Sequence, residues 1–246
     1  MKNQRVIFAK RPLGEPDDDC FRFDEIDVPE LKDNEILVKV CWLSLDPYMR
    51  GRMNDGKSYA DPMQIGDVMT GESSRIVIKS TSDKFAVGEY VAVHKGWQSY
   101  VVCGADDKRL MKIDITNGSL SAHLGVVGMP GRTAYFGLSE VGKPQVGETL
   151  VVAAASGAVG SAVGQIAKIL GLRAVGIAGG LEKCRYVTEE LGFDACIDYK
   201  ADNFTRELKA ACPDGVDIYF ENVGGAVTKE VAQLLNPGAR VPICGY

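Results

Sequence analysis

A glycine-containing turn in the second half of the chain has the spacing needed to hold the phosphates of a dinucleotide. The apolar segment Leu150–Ala154 runs into Ala155-Ser156-Gly157-Ala158-Val159-Gly160, where a helix pattern begins. This is the fingerprint G-x-G-x-x-G with alanine in place of the first glycine. A side chain at Gly157 would keep the backbone from a pyrophosphate, and one at Gly160 would push the helix off the strand. The alternative is tight helix–strand packing with no ligand.

The residues after the second predicted strand bear on which dinucleotide is bound. NAD sites usually place Asp or Glu there to bind the ribose 2′-hydroxyl. This chain instead has Gly179-Gly180, followed by Lys183 and Arg185. Cations suit a 2′-phosphate, so the sequence favours NADP(H). Alternatively, both cations are ordinary solvated helix charges.

Two further residues follow predicted strands at the edge where open α/β sheets bind ligands. Tyr199 follows the third strand and could flank the adenosine, and Asn222 follows the fourth. Both could equally be plain loop residues.

The second half alternates between strand and helix patterns, as a parallel sheet with right-handed crossovers requires. The predicted strands are Thr149–Ala154, Arg173–Ile177, Ala195–Ile197, Asp217–Glu221 and Arg240–Cys244. The predicted helices are Ala158–Gly171, Glu182–Gly192, Asn203–Ala211 and Ala226–Leu235.

The first half is predicted to be an antiparallel β domain. Ile36, Val38 and Val40 alternate as in a half-buried strand. The predicted strands are 35–42, 74–78, 90–93 and 98–102, separated by turn signals. We therefore expect an α/β protein with domains at 1–122 and 123–246.

Composition excludes several classes of partner. The 246 residues carry a net charge of −5, which gives no bulk attraction for nucleic acid. No apolar run is long enough for a signal-peptide core or a membrane span, so we expect a cytoplasmic protein without a membrane partner. Seven scattered cysteines and two histidines form no metal-ligand pattern, and no metal site is expected.

Several strings are similar to those of the zinc-independent medium-chain reductases, a family that includes prostaglandin reductases, plant alkenal double-bond reductases and bacterial curcumin-reductase-like enzymes. The matching strings run along essentially the whole chain. They are Leu45-Asp46-Pro47-Tyr48-Met49-Arg50-Gly51, 128–138, Gly157-Ala158-Val159-Gly160-Ser161, 176–180 with Lys183-Cys184, Ile197-Asp198-Tyr199-Lys200, and 219–225.

The resemblance implies a GroES-like catalytic domain followed by a Rossmann domain that binds NADP(H). It implies that the cofactor-binding residues are Met129, Gly157, Ala158, Val159, Gly160, Ser161, Gly180, Lys183, Tyr199, Asn222 and Cys244. Within this set, Lys183 would bind the 2′-phosphate and Met129 would line the nicotinamide floor. Tyr48, Arg50 and Tyr59 would face the substrate cleft.

The resemblance also implies the chemistry, which is hydride transfer from NADPH to the β-carbon of an enone or enal. Without zinc, the enolate oxygen needs hydrogen-bond donors, for which Tyr48 and Tyr59 are candidates. The alternative is that both tyrosines are aromatic packing at a cleft wall. Zinc-dependent relatives carry a Gly-His-Glu string and a metal-binding cysteine lobe. The corresponding stretches here, Gly66-Asp67-Val68-Met69-Thr70-Gly71-Glu72 and Gly96–Arg109, have no histidine and only Cys103, so zinc-assisted alcohol oxidation is not expected.

Family members continue beyond a fifth strand, whereas this chain ends at Tyr246. We therefore expect a Rossmann sheet truncated after strand five, with an exposed edge that could favour a homodimer. Tyr246 directly follows Cys244-Gly245 and is not expected to be the tyrosine that the family uses in catalysis. The competing hypotheses are a quinone reductase and a cofactor-binding remnant without activity.

Overall fold

The computed structural model describes residues 1–245, with Asn117 described by its backbone only. The chain divides into two compact units, one ending at Leu124 and the other beginning at Gly125. No helix within the described residues is long and apolar enough to cross a membrane. The domain boundary, the cytoplasmic location and the absence of a nucleic-acid partner stay predictions.

The first unit is built from antiparallel strands. These strands are β1 (Lys2–Phe8), β2 (Phe21–Asp27), β3 (Glu35–Leu43), β4 (Glu72–Ser80), β5 (Tyr90–His94), β6 (Tyr100–Gly104) and β7 (Met111–Ile113). Within the described residues, β1 and β2 form a hairpin, and the others form a sheet in the order β6-β3-β4-β5-β7. The short helix α1 (Tyr48–Arg52), which the sequence did not predict, follows β3. Short 3-10 turns lie at Asp18–Cys20, Ile115–Asn117 and Ala122–Leu124.

A methionine-rich cluster under α1 holds this helix in place. Met49 of α1 and Met53, which directly follows the helix, are buried against Phe8, Met63 and Met69. Methionine side chains are flexible enough to fill an irregular core between loops. Tyr48 packs against this cluster, so the cluster positions the predicted catalytic tyrosine.

The second unit has the Rossmann topology that the sequence predicts. Its strands are β8 (Thr149–Ala153), β9 (Arg173–Ala178), β10 (Ala195–Asp198), β11 (Val216–Phe220) and β12 (Leu235–Arg240). Its helices are α2 (Met129–Phe136), α3 (Ala158–Ile169), α4 (Leu181–Glu189), α5 (Phe204–Ala211) and α6 (Gly225–Ala232), with a π-helical turn at Gly137–Gly142. In the described part of the chain the strands are parallel, in the order β10-β9-β8-β11-β12.

The central strand β8 explains why both faces of this sheet are covered. Leu150 and Val152 are buried in one core cluster, and Val151 and Ala153 are buried in another. Successive side chains of a strand point to opposite faces, so a strand that is apolar at every position after Thr149 must be covered on both faces. The carboxyl end of β8 therefore lies at the edge of a sheet that is covered on both faces.

The predicted fifth strand was placed too late. It was expected at Arg240–Cys244, but β12 spans Leu235–Arg240. The predicted helix Ala226–Leu235 is correspondingly shorter, because α6 ends at Ala232. The later segment instead forms an isolated parallel bridge between Ile243 and Glu221. Pro237 and Gly238 obscured the strand in the sequence, since both residues are unfavourable in regular strands.

Candidate active site

The turn after β8 has the close helix–strand approach expected of a dinucleotide site. Ala154 adopts a left-handed conformation with φ of 51°. Its carbonyl accepts a hydrogen bond of 2.9 Å from the Gly157 amide. A Cβ at Gly160 would lie 2.3 Å from the same carbonyl oxygen, so only glycine fits at that position. A Cβ at Gly157 would lie 3.1 Å from it, a tight contact.

The first turn of α3 fits a pyrophosphate. Gly157 is the N-cap, and no side chain caps the helix. The N–H groups of the first turn have no partners inside a helix and attract anions together with the helix dipole. Ala158, Val159 and Gly160 contribute backbone only, and the Ser161 hydroxyl is 3.4 Å from the Ala158 carbonyl, to which it donates.

The loop between β9 and α4 leads into a helix whose first turn carries one lysine without a side-chain partner among the described residues. Gly180 starts the helix with φ of 100°. The Lys183 side chain is exposed and makes no hydrogen bond or ion pair within residues 1–245. Arg185 instead lies 3.9 Å from Glu189 on the helix surface. The solvated-charge interpretation therefore suits Arg185, and Lys183 is the candidate for the 2′-phosphate.

Asp198, which the sequence analysis did not single out, holds the loop between β9 and α4 in place. Its Oδ1 accepts hydrogen bonds from the backbone amides of Gly180, at 2.8 Å, and Lys200, at 3.0 Å. These two amide hydrogen bonds lower the pKa of the Asp198 carboxyl. The carboxylate thereby ties the end of β10 to the start of α4. Its position directly after the predicted strand Ala195–Ile197 was the signal available in the sequence.

The ring of Tyr199 lies over the Gly179 backbone. A Cβ at Gly179 would be 2.8 Å from the ring, so a side chain there would displace it. The Lys200 ammonium lies 5.9 Å from the ring centroid, within cation–π range. The structure therefore places Tyr199 beside the loop that leads to Gly180, and its contact with adenosine stays a prediction.

A buried carboxylate organises the end of β11. Glu221 is 3% exposed, and its Oε1 accepts from the amides of Val223, at 2.7 Å, and Gly224, at 2.9 Å. Its Oε2 accepts from the Thr228 hydroxyl. Burial alone would raise the pKa of Glu221, but these hydrogen bonds hold it below its usual value. Sequence reasoning missed this residue, although it directly follows a strand and precedes Gly224-Gly225.

Three other predicted cofactor residues have clear positions in the second unit. The Asn222 amide donates to the Ala153 carbonyl at 2.9 Å, at the carboxyl end of β8. The Cys244 backbone amide donates to the Glu221 carbonyl at 2.9 Å, so Cys244 lies beside the Asn222 loop. Met129 is the first residue of α2 and is half-buried. Tyr246 lies outside the described residues.

The Tyr48 hydroxyl is one of the predicted hydrogen-bond donors to the substrate. It is buried and has no hydrogen-bond partner within the described residues. Its ring stacks on His94, with the centroids 6.2 Å apart. Burial and the nearby carboxylates of Asp46 and Glu72 raise the pKa of Tyr48, so the hydroxyl stays protonated at neutral pH.

The other two predicted catalytic residues have different surroundings. Tyr59 is 83% exposed on a loop. The Arg50 guanidinium donates to the Gly14 carbonyl through Nε at 3.0 Å and Nη2 at 2.7 Å, and to the Asn54 side chain at 2.7 Å. Arg50 thus tethers a loop in this structure, and its contact with substrate stays a prediction.

A cavity of the second unit is not lined by any of these residues. It has a volume of about 450 Å³ and lies between α2 and α3, lined mainly by apolar side chains such as Tyr135 and Ile169. None of the predicted site residues lines it. No group of three or more His, Cys, Asp or Glu side chains that could hold a metal ion occurs among the described residues.

Two family profiles match the chain, one for each unit. The N-terminal domain of oxidoreductase matches residues 4–113, and zinc-binding dehydrogenase matches residues 158–246. The NADPH-dependent curcumin reductase of Escherichia coli strain K12 is 50% identical over 244 residues, which cover 99% of this chain and 70% of that protein. The chain belongs to the zinc-independent medium-chain reductases.

Two more comparisons support this family. The 2-alkenal reductase (NADP(+)-dependent) of Nicotiana tabacum is 39% identical over 251 residues, covering all of this chain and 73% of that protein. The crystal structure of CurA in complex with NADPH from Vibrio vulnificus has a TM-score of 0.94 and 50% identity, and the match covers 98% of this chain and 71% of that one. The predicted family, the α/β fold and the NADP-dependent oxidoreductase class are thereby confirmed.

Proposed function

We propose that this protein reduces the carbon–carbon double bond of α,β-unsaturated aldehydes and ketones with NADPH. The observation that carries the proposal is the turn after β8, where Gly160 sits against the Ala154 carbonyl and α3 presents an uncapped N-terminus. The names of two relatives support the reaction class, since one is an NADPH-dependent curcumin reductase and another a 2-alkenal reductase.

The residues of the second unit would hold the cofactor in a defined orientation. The backbone from Gly157 to Ser161 would bind the pyrophosphate at the N-terminus of α3. Lys183 would bind the 2′-phosphate, with the Tyr199 ring beside it. Asn222, held by the Ala153 carbonyl, would lie on the nicotinamide ribose side with Cys244 and Met129. When bound, NADPH supplies the hydride.

Tyr48 would activate the substrate from the first unit. Addition of a hydride to the β-carbon leaves negative charge on the carbonyl oxygen, as an enolate. A buried, protonated hydroxyl without another partner can donate a hydrogen bond to that oxygen. One such donor in a dry site accelerates a reaction by about 10²–10³-fold. A proton from solvent then adds to the α-carbon, which gives the saturated aldehyde or ketone.

The proposal is tested by mixing the purified chain with NADPH and, in separate reactions, an enal, an enone and a quinone. The expected result is loss of NADPH absorbance with the enal or enone and a product heavier by two hydrogen atoms. NADPH deuterated at the transferred position should place deuterium on the β-carbon. Turnover of the quinone alone would support the quinone reductase instead. Binding of NADPH without turnover of any substrate would support the inactive remnant.

Two other expectations from the sequence belong to this proposal. The first is a homodimer, and the second is a cytoplasmic location. Strand β12 pairs only with β11 within the described residues, which leaves one edge available to another chain. Light scattering of the purified protein at several concentrations would measure the oligomeric state.

A further inference from the structure

A second cavity lies in the first unit, beside the predicted catalytic tyrosine. Its volume is about 320 Å³, and its lining includes Arg52, Met63, Thr70, His94 and Gly96. This volume is at the lower end of the range for small-molecule sites. His94 connects the cavity to Tyr48, because the two rings stack at a centroid distance of 6.2 Å.

Arg52 brings an uncommitted positive charge to this cavity. Its side chain makes no hydrogen bond or ion pair within residues 1–245, and its Nε is buried without a partner. A partly buried guanidinium without an anion is unusual, since most such groups are paired. The positive charge of Arg52 also contributes, after burial, to the lowered pKa of His94. Arg52 therefore has an unmet requirement for an acceptor.

The other charged groups in the lining are committed or face solvent. The Lys95 ammonium lies 3.3 Å from Asp107. The Asp67 carboxylate accepts from the Gln64 backbone amide at 2.8 Å. Asp61 is exposed and forms no ion pair with Arg52 in the described structure. Arg52 is thus the lining charge that is both partly buried and unmatched.

Hydrogen bonds hold several of the lining residues in place. The Thr70 hydroxyl and His94 Nε2 share a hydrogen bond of 2.8 Å. The buried Arg75 guanidinium donates to the carbonyls of Gly96, at 3.0 Å, and Gln98, at 2.9 Å. Because these groups are held from the sheet, the cavity is present before any ligand binds. Preorganisation of this kind lowers the cost of binding.

We infer that this cavity binds a carboxylate carried by the substrate, and that Arg52 is the residue that binds it. The inference rests on the proposed function and narrows it to α,β-unsaturated carbonyl compounds that also bear a carboxylate. A planar guanidinium matches a carboxylate with two parallel hydrogen bonds. Met63 and Val68 offer apolar contacts to the carbon chain next to it. Because the Tyr48 ring stacks on His94, which lines the cavity, the proposal puts the carbonyl of the same carbon chain beside Tyr48.

The test compares an enone that carries a terminal carboxylate with its methyl ester, in the wild type, Arg52→Ala and Arg52→Lys. Arg52→Ala is expected to raise the KM of the acid by about 10- to 100-fold. The KM of the ester and the kcat of both substrates should change by less than about twofold. Arg52→Lys should restore part of the affinity for the acid, because it keeps the charge without the planar fork. Arg22→Ala, which removes an exposed cation of β2, is the matched control.

A binding measurement separates this inference from the proposed function. Titration calorimetry with heptanoate, a saturated carboxylate that cannot be reduced, is expected to show binding to the wild type and to Arg22→Ala but none to Arg52→Ala. Heptanoate binding that depends on Arg52, with no turnover of any substrate, would overturn the proposed function alone. Turnover of acid and ester with equal KM values in both the wild type and Arg52→Ala would overturn the carboxylate site and leave the proposed function standing.

Discussion

Two tyrosines with the same predicted role differ sharply in their surroundings. The Tyr48 hydroxyl is buried without a partner, whereas Tyr59 is 83% exposed. A buried, unsatisfied hydroxyl costs about 1–3 kcal/mol of folding free energy. Groups kept at such a cost are concentrated at functional sites, where a ligand supplies the missing partner. The structure therefore favours Tyr48 over Tyr59 as the donor to the substrate oxygen.

Tyr48→Phe is expected to lower kcat for an enone by about 100-fold, because it removes a donor to the enolate oxygen. The melting temperature should stay the same or rise, since the unsatisfied hydroxyl is lost and the ring is kept. Steady-state kinetics and thermal unfolding measure the two effects. Tyr59→Phe is the matched control and should change kcat by less than about threefold. Equal losses in both variants would contradict the assignment.

The uncommitted charge of Lys183 leads to a prediction about coenzyme choice. Lys183→Ala is expected to raise the KM for NADPH by about 10- to 100-fold, because a charge-assisted hydrogen bond to the 2′-phosphate is lost. The KM for NADH, which lacks that phosphate, should not change. Arg185→Ala is the matched control, since Arg185 already lies near Glu189. A rise of the KM for NADH as well would indicate a structural effect on α4.

At the scale of elements, the turn between β8 and α3 leaves no room for a side chain at Gly160. Gly160→Ala would place a methyl group 2.3 Å from the Ala154 carbonyl, so the helix must move. Overpacking of this kind costs about 1–3 kcal/mol. We expect urea unfolding to show this loss and NADPH affinity to fall with it. Gly104→Ala is the control, because a Cβ there meets nothing within 4 Å. Unchanged stability of Gly160→Ala would show that the turn relaxes easily.

Much of this arrangement follows from the sequence because it is local. The spacing and types of neighbouring residues are enough to predict the strand–turn–helix at Gly157 and the order of the βα units. The surroundings of Tyr48 could not be predicted, since they depend on His94 and Thr70, which come from other parts of the chain. The interaction of Asp198 with Gly180 was missed for the same reason, as it joins neighbouring strands. The position of β12 was wrong because tertiary pairing overrides the low strand propensity of Pro237.

Glu221 gives the β11–α6 connection a dependence on pH. Its pKa is lower in the folded chain, so its stabilising effect is present above the unfolded value of about 4.3 and is lost as the pH falls through the folded value. Glu221→Gln is expected to lower the free energy of unfolding at neutral pH by about 1–3 kcal/mol, because the carboxylate accepts three hydrogen bonds.

Urea unfolding of the wild type and Glu221→Gln at about pH 7 and about pH 3.5 tests this prediction. The difference between the two proteins should be large at the higher pH and should shrink at the lower. Glu25→Gln, which changes an exposed glutamate of β2, should show little difference at either pH. If the stability difference between the wild type and Glu221→Gln did not depend on pH, the loss would come from the geometry of the amide and not from the loss of the negative charge.

At the scale of the whole molecule, the two units have separate hydrophobic cores, and the predicted coenzyme contacts all belong to the second. Both tryptophans, Trp42 and Trp97, belong to the first unit. The α-helices longer than five residues within the described chain belong to the second. The helical signal in circular dichroism therefore reports the unfolding of the second unit. Tryptophan fluorescence reports the unfolding of the first.

A coenzyme that binds only the folded chain must raise its stability by mass action. At 100 times its Kd, NADPH is expected to add about 2.7 kcal/mol, which corresponds to roughly 5–10 °C in the midpoint measured by circular dichroism. NADH at the same concentration should shift the midpoint much less, because Lys183 has no 2′-phosphate to bind. In Lys183→Ala the two coenzymes should give similar small shifts. An equal shift by NADPH and NADH in the wild type would contradict the proposed 2′-phosphate site, and the absence of a shift with both would contradict the dinucleotide site at Gly157.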